Sequence, residues 1–597
     1  MSHSIETRRH SAAHVMAAAV KRLFPEAKFG VGPVVENGFY YDIDINRPVT
    51  PEDLKLIEKE MQRIQKENPA FTREEISLDD AIKLFGELGQ TYKVELLNDL
   101  KTKGTTKVSA EEAQDVDPQN VGIITIYRTG DFIDLCRGPH VTEAREIGAW
   151  KLTKIAGAYW RGNQENAQMQ RIYGLCFESK DELKAYQTMI AEAEKRDHRK
   201  LGAALELYSI IDEIGPGLPL FYPKGAILRR NVEEFIENLQ EKHGYRPIWI
   251  PHITKGKLYE ISGHLQKYDA MYPPMQLPDE DAYYLKPMNC PHFMMLYGTQ
   301  PHSYRELPIR WTCTTTNYRY EKSGELSGLT RVRSLTQDDC HVFATPEQIE
   351  TEINLMLDMV DEVYRTFGFV DFWVRISTHD PKDKEKYIGD PAIWEQSEAA
   401  LARLIQGRGW RHEVGIGEAA FYGPKLDFMA KDVIGRPWQL STIQLDMNLP
   451  ERFALEYSDS DGSKKRPVVI HRALLGSVER FLGILIEHYA GAFPLWLAPV
   501  QIAILPVADR HNEYAQALAQ ELQGHSLRVE VDSSTESVGK KIRNAEKMKL
   551  PRMLVVGDKE AEGGPLTVRI RGEADQKTME KTDFIDECLK SIKARIA

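Results

Sequence analysis

The sequence predicts an α+β protein of several domains, because three patterns follow one another along the chain. At 597 residues the chain exceeds the roughly 250 to 300 residues that one hydrophobic core usually serves. A helical pattern with a hairpin comes first, Gly- and Pro-broken strand runs follow, and alternating strands and helices end the chain. We therefore expect an N-terminal α+β domain at 1–198, an antiparallel sheet with helices at 199–498 and an α/β domain at 499–597.

The N-terminal section opens with a helix and continues into a hairpin. Apolar residues recur at helical spacing over 12–23. Asn37 and Gly38 then form a dipeptide typical of a tight hairpin turn. The residues at 181–201 are mostly charged and predict a linker helix, which places the first domain boundary.

The later sections carry enough periodicity to place individual elements. In the middle section we expect helices such as 231–242 between strands such as 245–250. In the last section we expect strands at 501–507, 527–531 and 553–556, separated by helices at 512–522 and 538–548. Strands that alternate with helices predict an α/β sheet.

Composition and charge narrow the class of protein. Hydrophobic residues make up 42% of the chain, and no apolar run reaches the ~18 residues of a membrane span, so we expect no membrane crossing. The net charge of −12 argues against a protein that coats nucleic acid, so any RNA binding must be local. One basic run could be such a patch or simply a solvated helix face: Lys540, Lys541, Arg543, Lys547, Lys549 and Arg552.

The N-terminus and the cysteines predict a cytoplasmic protein. Residues 1–9 contain no apolar stretch of the kind that a secretory signal requires. The six cysteines are not spaced as a disulfide framework. A reducing cytoplasm fits both observations.

Two histidines and a cysteine in the middle section are candidate metal ligands: Cys290, His341 and His471. Three N and S ligands with a fourth position open are typical of a catalytic zinc. Their spacing alone predicts little, because a scattered Cys or His is usually packed or solvated. We exclude Cys340, since neighbours on an extended segment point to opposite faces.

A second group of His and Cys residues lies in the N-terminal section. His10 and His14 are four residues apart and share one face of a helix. A zinc protease would carry Glu directly after the first His, but position 11 is Ser, so that pattern is excluded. Cys136 and His140 form a further pair.

Five blocks resemble those of the class II aminoacyl-tRNA synthetases, and most closely the threonyl-tRNA synthetase family. Residues 223–225 leading to 250–251, residues 318–333 and residues 476–480 are similar to the three motifs of the class. The runs 286–290 and 421–425 resemble blocks specific to the threonyl family. The resemblance covers nearly the whole chain and implies a class II antiparallel catalytic sheet between an editing domain and an anticodon-binding domain.

The resemblance implies an ATP site built from arginines. Arg319 would contact the α-phosphate, Arg331 the γ-phosphate side and Arg480 the triphosphate, while Glu321 would bind the adenine amino group. Guanidinium groups and Mg²⁺ bound with ATP stabilise charge on a phosphoryl group under attack. Surface salt bridges, the usual role of Arg, are the alternative.

The resemblance also implies a threonine site with one zinc per subunit on Cys290, His341 and His471. Valine is nearly isosteric with threonine, and an apolar pocket rejects such an isostere only about a hundredfold. A zinc that binds the hydroxyl would do better, and Asp339 would accept a hydrogen bond from that hydroxyl. The remaining pocket residues implied by the family pattern are Met288, Gln337, Tyr422, Lys425, Gln439, Gln444 and Ser477.

The N-terminal section resembles the editing domain of bacterial threonyl-tRNA synthetases, which hydrolyses serine attached to the tRNA by mistake. The implied site consists of His10, His14, Lys93, Asp134, Cys136 and His140. Such a cluster either holds zinc or positions a water molecule, and we favour water activation without an obligatory metal.

The C-terminal section resembles an anticodon-binding domain, with Arg543, Glu560 and Arg569 at positions that face the anticodon. Thr535 and Ser537 depart from the family pattern. The sequence begins almost at the editing domain and lacks the small N-terminal ubiquitin-like domain common in relatives, which fits either a naturally short form or a trimmed chain. The family pattern also implies a homodimer built through the first motif.

These observations predict a ligase that uses ATP to join threonine to tRNA(Thr). One alternative is a related synthetase for proline, glycine or serine, which the trio of Cys290, His341 and His471 argues against. Another is an RNA-binding regulator that keeps the fold, which the presence of Arg319 and Arg480 argues against.

Overall fold

The computed structural model describes residues 3–103, 122–163, 165–383, 385–432 and 435–595. The chain divides into two compact units, Met1–Ala191 and Glu192–Ala597. Over these described ranges, no helix combines the length and the apolarity that a bilayer span requires. The division into three domains with limits at 198 and 498 stays a prediction.

The first unit mixes helices with two antiparallel sheets. Its helices are α1 Ile5–Leu23, α2 Pro51–Glu67, α3 Leu78–Glu87, α4 Thr91–Lys103 and α5 Lys180–Arg196, the last of which crosses the boundary between the units. Its strands are β1 Lys28–Phe29, β2 Val34–Val35, β3 Gly38–Asp44, β4 Phe71–Ser77, β5 Ile123–Thr129, β6 Phe132–Leu135, β7 Ala149–Tyr159 and β8 Gln168–Phe177. One sheet has the order β1-β3-β8-β7 with β2 paired to β3, and the other has the order β4-β5-β6.

Helix α1 is the buried centre of this unit. Ser4 caps it by accepting a hydrogen bond from the Thr7 amide at 3.2 Å. The helix is buried on nearly every side from Ser11 to Val20, because its alanines let α2 and the sheet approach closely. The predicted hairpin is confirmed, since Val35 pairs with Gly38 and Asn37 has a φ of 65°.

The second unit contains the central sheet and the C-terminal sheet. Its helices are α6 His198–Ala204, α7 Pro223–Lys242, α8 Lys257–Ser262, α9 His264–Lys267, α10 Cys290–Tyr297, α11 Ile349–Thr366, α12 Pro391–Gly407, α13 Leu449–Arg452, α14 Val478–His488, α15 Asn512–Gly524, α16 Val538–Lys547, α17 Asp558–Ala561 and α18 Lys581–Ala594. Its strands are β9 Tyr208–Ser209, β10 Leu220–Phe221, β11 Arg246–Pro247, β12 Ile253–Lys255, β13 Tyr283–Leu285, β14 Ile309–Tyr318, β15 Ser334–Ala344, β16 Phe372–Thr378, β17 His412–Ile416, β18 Lys425–Lys431, β19 Pro437–Asp446, β20 Tyr457–Ser458, β21 Lys464–Lys465, β22 Val468–Ala473, β23 Ile502–Pro506, β24 Val529–Val531, β25 Arg552–Val556, β26 Leu566–Ile570 and β27 Lys577–Met579.

The central sheet has eight strands in the order β11-β14-β15-β22-β19-β18-β16-β17. The six inner strands are antiparallel, as predicted, and each edge strand pairs in parallel with its neighbour. One face packs against α7, α11, α12 and α14 to form the largest hydrophobic core. The opposite face lies under α10 and carries the candidate site.

The C-terminal sheet has the order β24-β23-β25-β26-β27, with the first three strands parallel and the last two antiparallel. Every strand and helix predicted between 501 and 556 is present to within two residues at each end. The α/β prediction is therefore confirmed for this section. The sheet has its own core, which includes Ile502, Leu518 and Leu554.

Three sequence predictions need correction. The predicted linker helix at 181–201 is two helices, because Asp197 leaves the helical conformation and caps α6 by accepting from the Arg199 amide at 2.8 Å. The predicted strand at 245–250 shrinks to Arg246–Pro247, because the Ile248 amide, which donates to the Thr312 carbonyl at 2.9 Å, makes the last backbone hydrogen bond of this segment to β14 among the described residues. Helix α7 begins at Pro223 rather than at 231, because proline suits the first helical position.

Replacing Gly225→Ala tests the close approach of α7 to the chain at Leu207. A Cβ at Gly225 would lie 1.9 Å from the Leu207 carbonyl oxygen, which is backbone and cannot rotate away. We expect a destabilisation of about 1–3 kcal/mol, measured as a lower midpoint of thermal unfolding in calorimetry.

Gly539→Ala is the matched control, since Gly539 also lies in the first turn of a helix. Apart from the backbone of its own helix and its two chain neighbours, no atom of the described residues lies within 4 Å of the place that a Cβ would take there, so alanine should leave stability unchanged or raise it by about 0.4–1 kcal/mol. Equal midpoints for the two variants would contradict the packing described for α7.

Candidate active site

A row of side chains crosses the open face of the central sheet. His341 in β15 lies opposite His471 in β22, and Gln444 in β19 lies opposite His471 on its other side. Lys425 in β18 lies opposite Gln444. Directly opposed residues in an antiparallel ladder project to the same face, so residues far apart in sequence meet here. Asp339, two residues before His341, projects to the same face.

The three predicted metal ligands converge above this row. Cys290 is the first residue of α10, and its Sγ lies with one ring nitrogen each of His341 and His471 in a cluster whose members are all within 4.8 Å of one another. All three side chains are buried, and His341 is 0% exposed. Both ring nitrogens of His341 and Nδ1 of His471 lack a hydrogen-bond partner among the described residues. Leaving such groups unpaired costs about 1–3 kcal/mol each, which a bound metal would offset.

Asp446 fixes the tautomer of His471. Its carboxylate oxygen Oδ2 lies 2.9 Å from Nε2 of His471, and a carboxylate only accepts, so Nε2 carries a proton and Nδ1 is the nitrogen left to bind a metal. The other oxygen accepts from the amides of Asn448 and Leu449 at 2.9 Å, which holds the carboxylate in place. Such partners orient metal-binding histidines. Sequence analysis missed Asp446, although it ends the strand that carries Gln444.

Burial keeps His341 neutral. Burial, and then the nearby His471, lower the pKa of His341 well below 6.5. A thiol and two imidazoles that can offer lone pairs suit zinc with one open position. Cys340 takes no part, because it lies in the core on the other face, opposite Arg472. The predicted placement of Cys340 on the opposite face from His341 is confirmed.

A hydrogen-bonded chain orients Asp339. Nδ2 of Asn289 donates to Oδ2 of Asp339 at 2.9 Å, and Nζ of Lys286 donates to Oδ1 of Asn289 at 2.8 Å. Since Lys only donates and a carboxylate only accepts, the amide has a single orientation. Oδ1 of Asp339 then lies 3.8 Å from Nδ1 of His341, beside the metal ligands. Lys286 and Asn289 were missed individually, although both belong to the run 286–290.

Asp427 accepts hydrogen bonds from two of the predicted pocket residues. Its carboxylate accepts from Nζ of Lys425 at 2.5 Å and from Nε2 of Gln439 at 2.7 Å. The hydroxyls of Ser377 and Thr442 donate to it at 2.8 and 3.1 Å. Four donors fill the acceptor positions of the carboxylate, so Lys425 and Gln439 are held rigidly. Sequence analysis missed Asp427, although its position two residues after Lys425 in the same strand places both side chains on one face.

The remaining predicted pocket residues lie around the same centre. Tyr422 stacks on His471 with ring centroids 5.4 Å apart and donates to Oε1 of Gln444 at 2.6 Å. Gln337 accepts from Nδ2 of Asn317 at 2.7 Å. The sulfur of Met288 lies 3.1 Å from Nε2 of His264.

Three arginines form a cationic cluster beside the pocket. Arg319 follows β14, Arg331 lies in the loop that leads to β15, and Arg480 lies in α14. Burial, and then the charges of Arg319 and Arg331, lower the pKa of Arg480. Mutually repelling guanidinium groups in a partly buried place fit a polyanionic ligand. Arg331 pairs with Glu321 at 2.9 Å, and Ser477 caps α14 by accepting from the Arg480 amide at 3.1 Å.

The first unit holds a second buried cluster. One ligand atom each of His10, His14, Cys136 and His140 lies within 4.8 Å of the others. Sγ of Cys136 lies 3.3 Å from Nε2 of both His10 and His140. Burial is the main cause that lowers the pKa of all three histidines, so their imidazoles stay neutral. The four residues predicted from two distant segments are thus brought together.

Lys93 and Asp134 lie against this cluster. Oδ1 of Asp134 pairs with Nζ of Lys93 at 2.9 Å, and Oδ2 lies 3.5 Å from Nε2 of His14. Sequence analysis missed Tyr41, which donates to Asp134, and Ser11, whose hydroxyl lies 3.1 Å from Nδ1 of His140. Ser11 directly follows His10 in the helix, and this position was the only feature of the sequence that indicated a place near the cluster.

The predicted anticodon residues differ in exposure. Arg543 is exposed on α16, and Arg569 in β26 is half-buried. Glu560 is buried, and its carboxylate accepts from the Gly557 amide at 2.9 Å and from the Thr567 hydroxyl at 2.7 Å. The basic run is not one exposed patch, because Lys541 is buried and donates to the carbonyls of Pro506 and Asp532.

Three parts of the chain match known protein families. Residues 124–173 match the threonyl and alanyl tRNA synthetase second additional domain. Residues 275–489 match the tRNA synthetase class II core domain (G, H, P, S and T), and residues 501–591 match the anticodon binding domain.

Similar proteins extend over nearly the whole chain. The threonine–tRNA ligase of Streptomyces avermitilis is 49% identical over 98% of this chain and 89% of its own length. That of Gloeobacter violaceus is 48% identical over 99% of this chain and 92% of its own. A solved RNA-binding domain of threonyl-tRNA synthetase from Cryptosporidium parvum is 36% identical with a TM-score of 0.63, covering 66% of this chain and 98% of that one.

Asp446→Asn tests the role of the carboxylate beside His471. The amide would no longer hold the proton on Nε2, so we expect zinc affinity to fall by about 10–100-fold in chelator competition. Glu398→Gln is the control, because it alters a similar pair with His379, at 2.7 Å, that includes no predicted ligand. Unchanged zinc affinity in Asp446→Asn would contradict this role.

Proposed function

The chain belongs to the threonine–tRNA ligase family, and we propose that its cluster of Cys290, His341 and His471 holds the zinc that selects threonine. The chain activates threonine with ATP, transfers the threonyl group to tRNA, and edits mischarged tRNA. The observation that carries the zinc proposal is the set of buried imidazole nitrogens that have no hydrogen-bond partner among the described residues and that meet a buried thiol. ATP would enter with Mg²⁺.

The surroundings of the cluster support selection by the substrate hydroxyl. A zinc in this position supplies a coordination site for the amino and hydroxyl groups of threonine, and valine has no hydroxyl to offer. Asp339, held through Asn289 at 2.9 Å, would accept the hydrogen bond of that hydroxyl. Leaving this acceptor unpaired would penalise valine further, because unsatisfied buried polar groups are costly.

The arginine cluster supports adenylate formation. The threonine carboxylate would attack the α-phosphate held by Arg319, while Arg480 and Arg331 would bind the departing pyrophosphate. Lys425 lies 2.5 Å from Asp427, so its ammonium is fixed at the edge of the pocket. Gln444 and Gln439 would orient the bound amino acid and adenylate. Preorganised cations need little reorganisation as charge moves to the leaving group.

Serine creates the need for the second cluster. It keeps the hydroxyl that a zinc site selects and lacks one methyl group, which pocket shape discriminates by only about 10–200-fold. We infer that His10, His14, Cys136 and His140, with Lys93 and Asp134, position a water that hydrolyses seryl-tRNA(Thr). Neutral imidazoles can take a proton from that water. No metal is required by this proposal.

Cys290→Ala should abolish threonine-dependent exchange of labelled pyrophosphate into ATP, because it removes one zinc ligand. Hydrolysis of seryl-tRNA should continue at the wild-type rate. Removing zinc from the wild-type protein with a chelator, followed by dialysis into buffer with Mg²⁺, should likewise abolish exchange and leave this hydrolysis unchanged. Cys340→Ala is the matched control, since this thiol projects from the opposite face of the same sheet and should leave exchange intact.

The outcomes separate the two clusters. Unchanged threonine exchange in zinc-free Cys290→Ala would contradict the zinc proposal. Loss of seryl-tRNA hydrolysis on chelation, with the fold intact, would instead place an essential metal in the first unit. In the wild-type protein, exchange should be strong with threonine, weak with serine and undetectable with valine or proline.

We also propose a homodimer formed through α7 and the edge of the central sheet at β11. Trp249 is 78% exposed there, and a cavity of about 660 Å³ lies between α7 and β14. An exposed Trp beside an open cleft fits a partner subunit. We propose separately that the C-terminal domain binds the anticodon of the tRNA. Arg543, Glu560 and Arg569 remain the proposed anticodon residues.

Light scattering should give about twice the chain mass of 68.2 kDa at micromolar concentration. Trp249→Asp should shift the mass toward the monomer, because a charge would be buried in the interface. Val370→Asp, which alters a residue that is 88% exposed elsewhere, should remain dimeric. A wild-type monomer would contradict the proposal.

A further inference from the structure

His198 is a buried histidine with a single possible tautomer. It begins α6 and is 3% exposed. Its Nε2 lies 3.0 Å from the amide nitrogen of Leu329, which can only donate, so Nε2 must carry the lone pair. Nδ1 therefore carries the proton and donates to Oε1 of Glu487 at 2.6 Å.

These bonds exclude a metal role for this histidine. Asp197, His198 and Glu487 are close enough together to hold an ion. Both ring nitrogens already make hydrogen bonds, however. A metal on Nε2 would displace the Leu329 amide and leave that buried N–H without its hydrogen bond. The arrangement is instead a fixed link from helix α14, which carries Glu487, to the loop before β15.

The loop is held at consecutive residues. His198 accepts a hydrogen bond from the amide of Leu329. Nε of Arg480 donates to the carbonyl of the next residue, Thr330, at 2.9 Å. The residue that follows is Arg331, one of the three clustered arginines. These two hydrogen bonds to the backbone of adjacent residues fix the position and the direction of the chain just before Arg331.

Close packing beneath the loop depends on two glycines. Gly328 has a φ of +48°, and a Cβ there would lie 2.2 Å from Nε2 of His198. A Cβ on Gly483 of α14 would lie 3.2 Å from the Cβ of Leu329. The loop therefore rests directly on the histidine and on the helix, with no space for an intervening side chain.

We propose that His198 is a positioning residue for ATP binding, which acts by holding the Leu329 backbone so that Arg331 meets the triphosphate. This inference rests on the proposed role of Arg331 as an ATP ligand. His198 lies on the core side of the loop and need not touch the nucleotide. Its effect should therefore appear in ATP binding and not in threonine binding.

Three variants measured by pyrophosphate exchange test this role. His198→Phe keeps an aromatic ring but removes both hydrogen bonds, so the KM for ATP should rise about fivefold to tenfold while the KM for threonine stays the same. His198→Gln can still accept from the Leu329 amide and should restore most of the ATP affinity. Tyr208→Phe is the matched control, since it alters only a 3.4 Å contact with the His198 carbonyl.

A double-mutant cycle with Arg331→Ala tests whether His198 acts through Arg331. His198→Phe should have little further effect on the KM for ATP in the Arg331→Ala background. Full additivity, or an unchanged KM for ATP in His198→Phe, would overturn the inference. An unchanged KM for ATP in Arg331→Ala alone would instead contradict the proposed role of Arg331.

Two further measurements on the same samples test whether each variant is correctly folded. Seryl-tRNA hydrolysis depends on the first unit, and threonine binding depends on the Cys290 cluster, so both should remain at wild-type values. If His198→Phe is unstable, His198→Gln and Glu487→Gln still decide the question. Glu487→Gln should raise the KM for ATP less than His198→Phe, because the bond to Leu329 remains; an equal or larger rise specific to ATP would overturn the inference.

Discussion

The antiparallel register that sets His341 opposite His471 is the constraint on which the candidate active site depends. The same ladder aligns Gln444 and Lys425 on the adjoining strands. A slip of one residue would turn the histidines into the hydrophobic core and bring Arg472 onto the open face. Cys340 and Arg472 are core residues for the same reason that their neighbours are site residues.

Around that register, buried carboxylates decide how each polar group points. Asp446 holds Nε2 of His471 and leaves Nδ1 as the nitrogen that can bind a metal, and Asp427 holds Lys425 and Gln439 together. Asn289 has one orientation because Lys286 and Asp339 leave it no other. Such fully paired networks are rigid, and rigidity is what a site needs in order to distinguish a hydroxyl from a methyl group.

The two clusters of His and Cys show how neighbours change the chemistry of similar ligands. In the central sheet, buried nitrogens lack partners among the described residues and one histidine is held by a carboxylate, which fits a metal. In the first unit, Cys136 already lies 3.3 Å from two imidazoles, and Asp134 pairs with Lys93. We infer that the first arrangement binds zinc to select threonine, whereas the second activates water to remove serine.

Local patterns in the sequence were enough to predict the periodic elements, the order of the motifs and the two groups of His and Cys residues. Helix α1, the Asn37 turn and the elements of the C-terminal sheet follow from local periodicity and turn chemistry, which is why they were predicted closely. Local patterns do not encode partners distant in sequence, so Asp446, Asp427 and His198 were missed. Which buried groups lie within hydrogen-bonding distance follows from the folded arrangement alone, because it depends on strand register and on packing between elements.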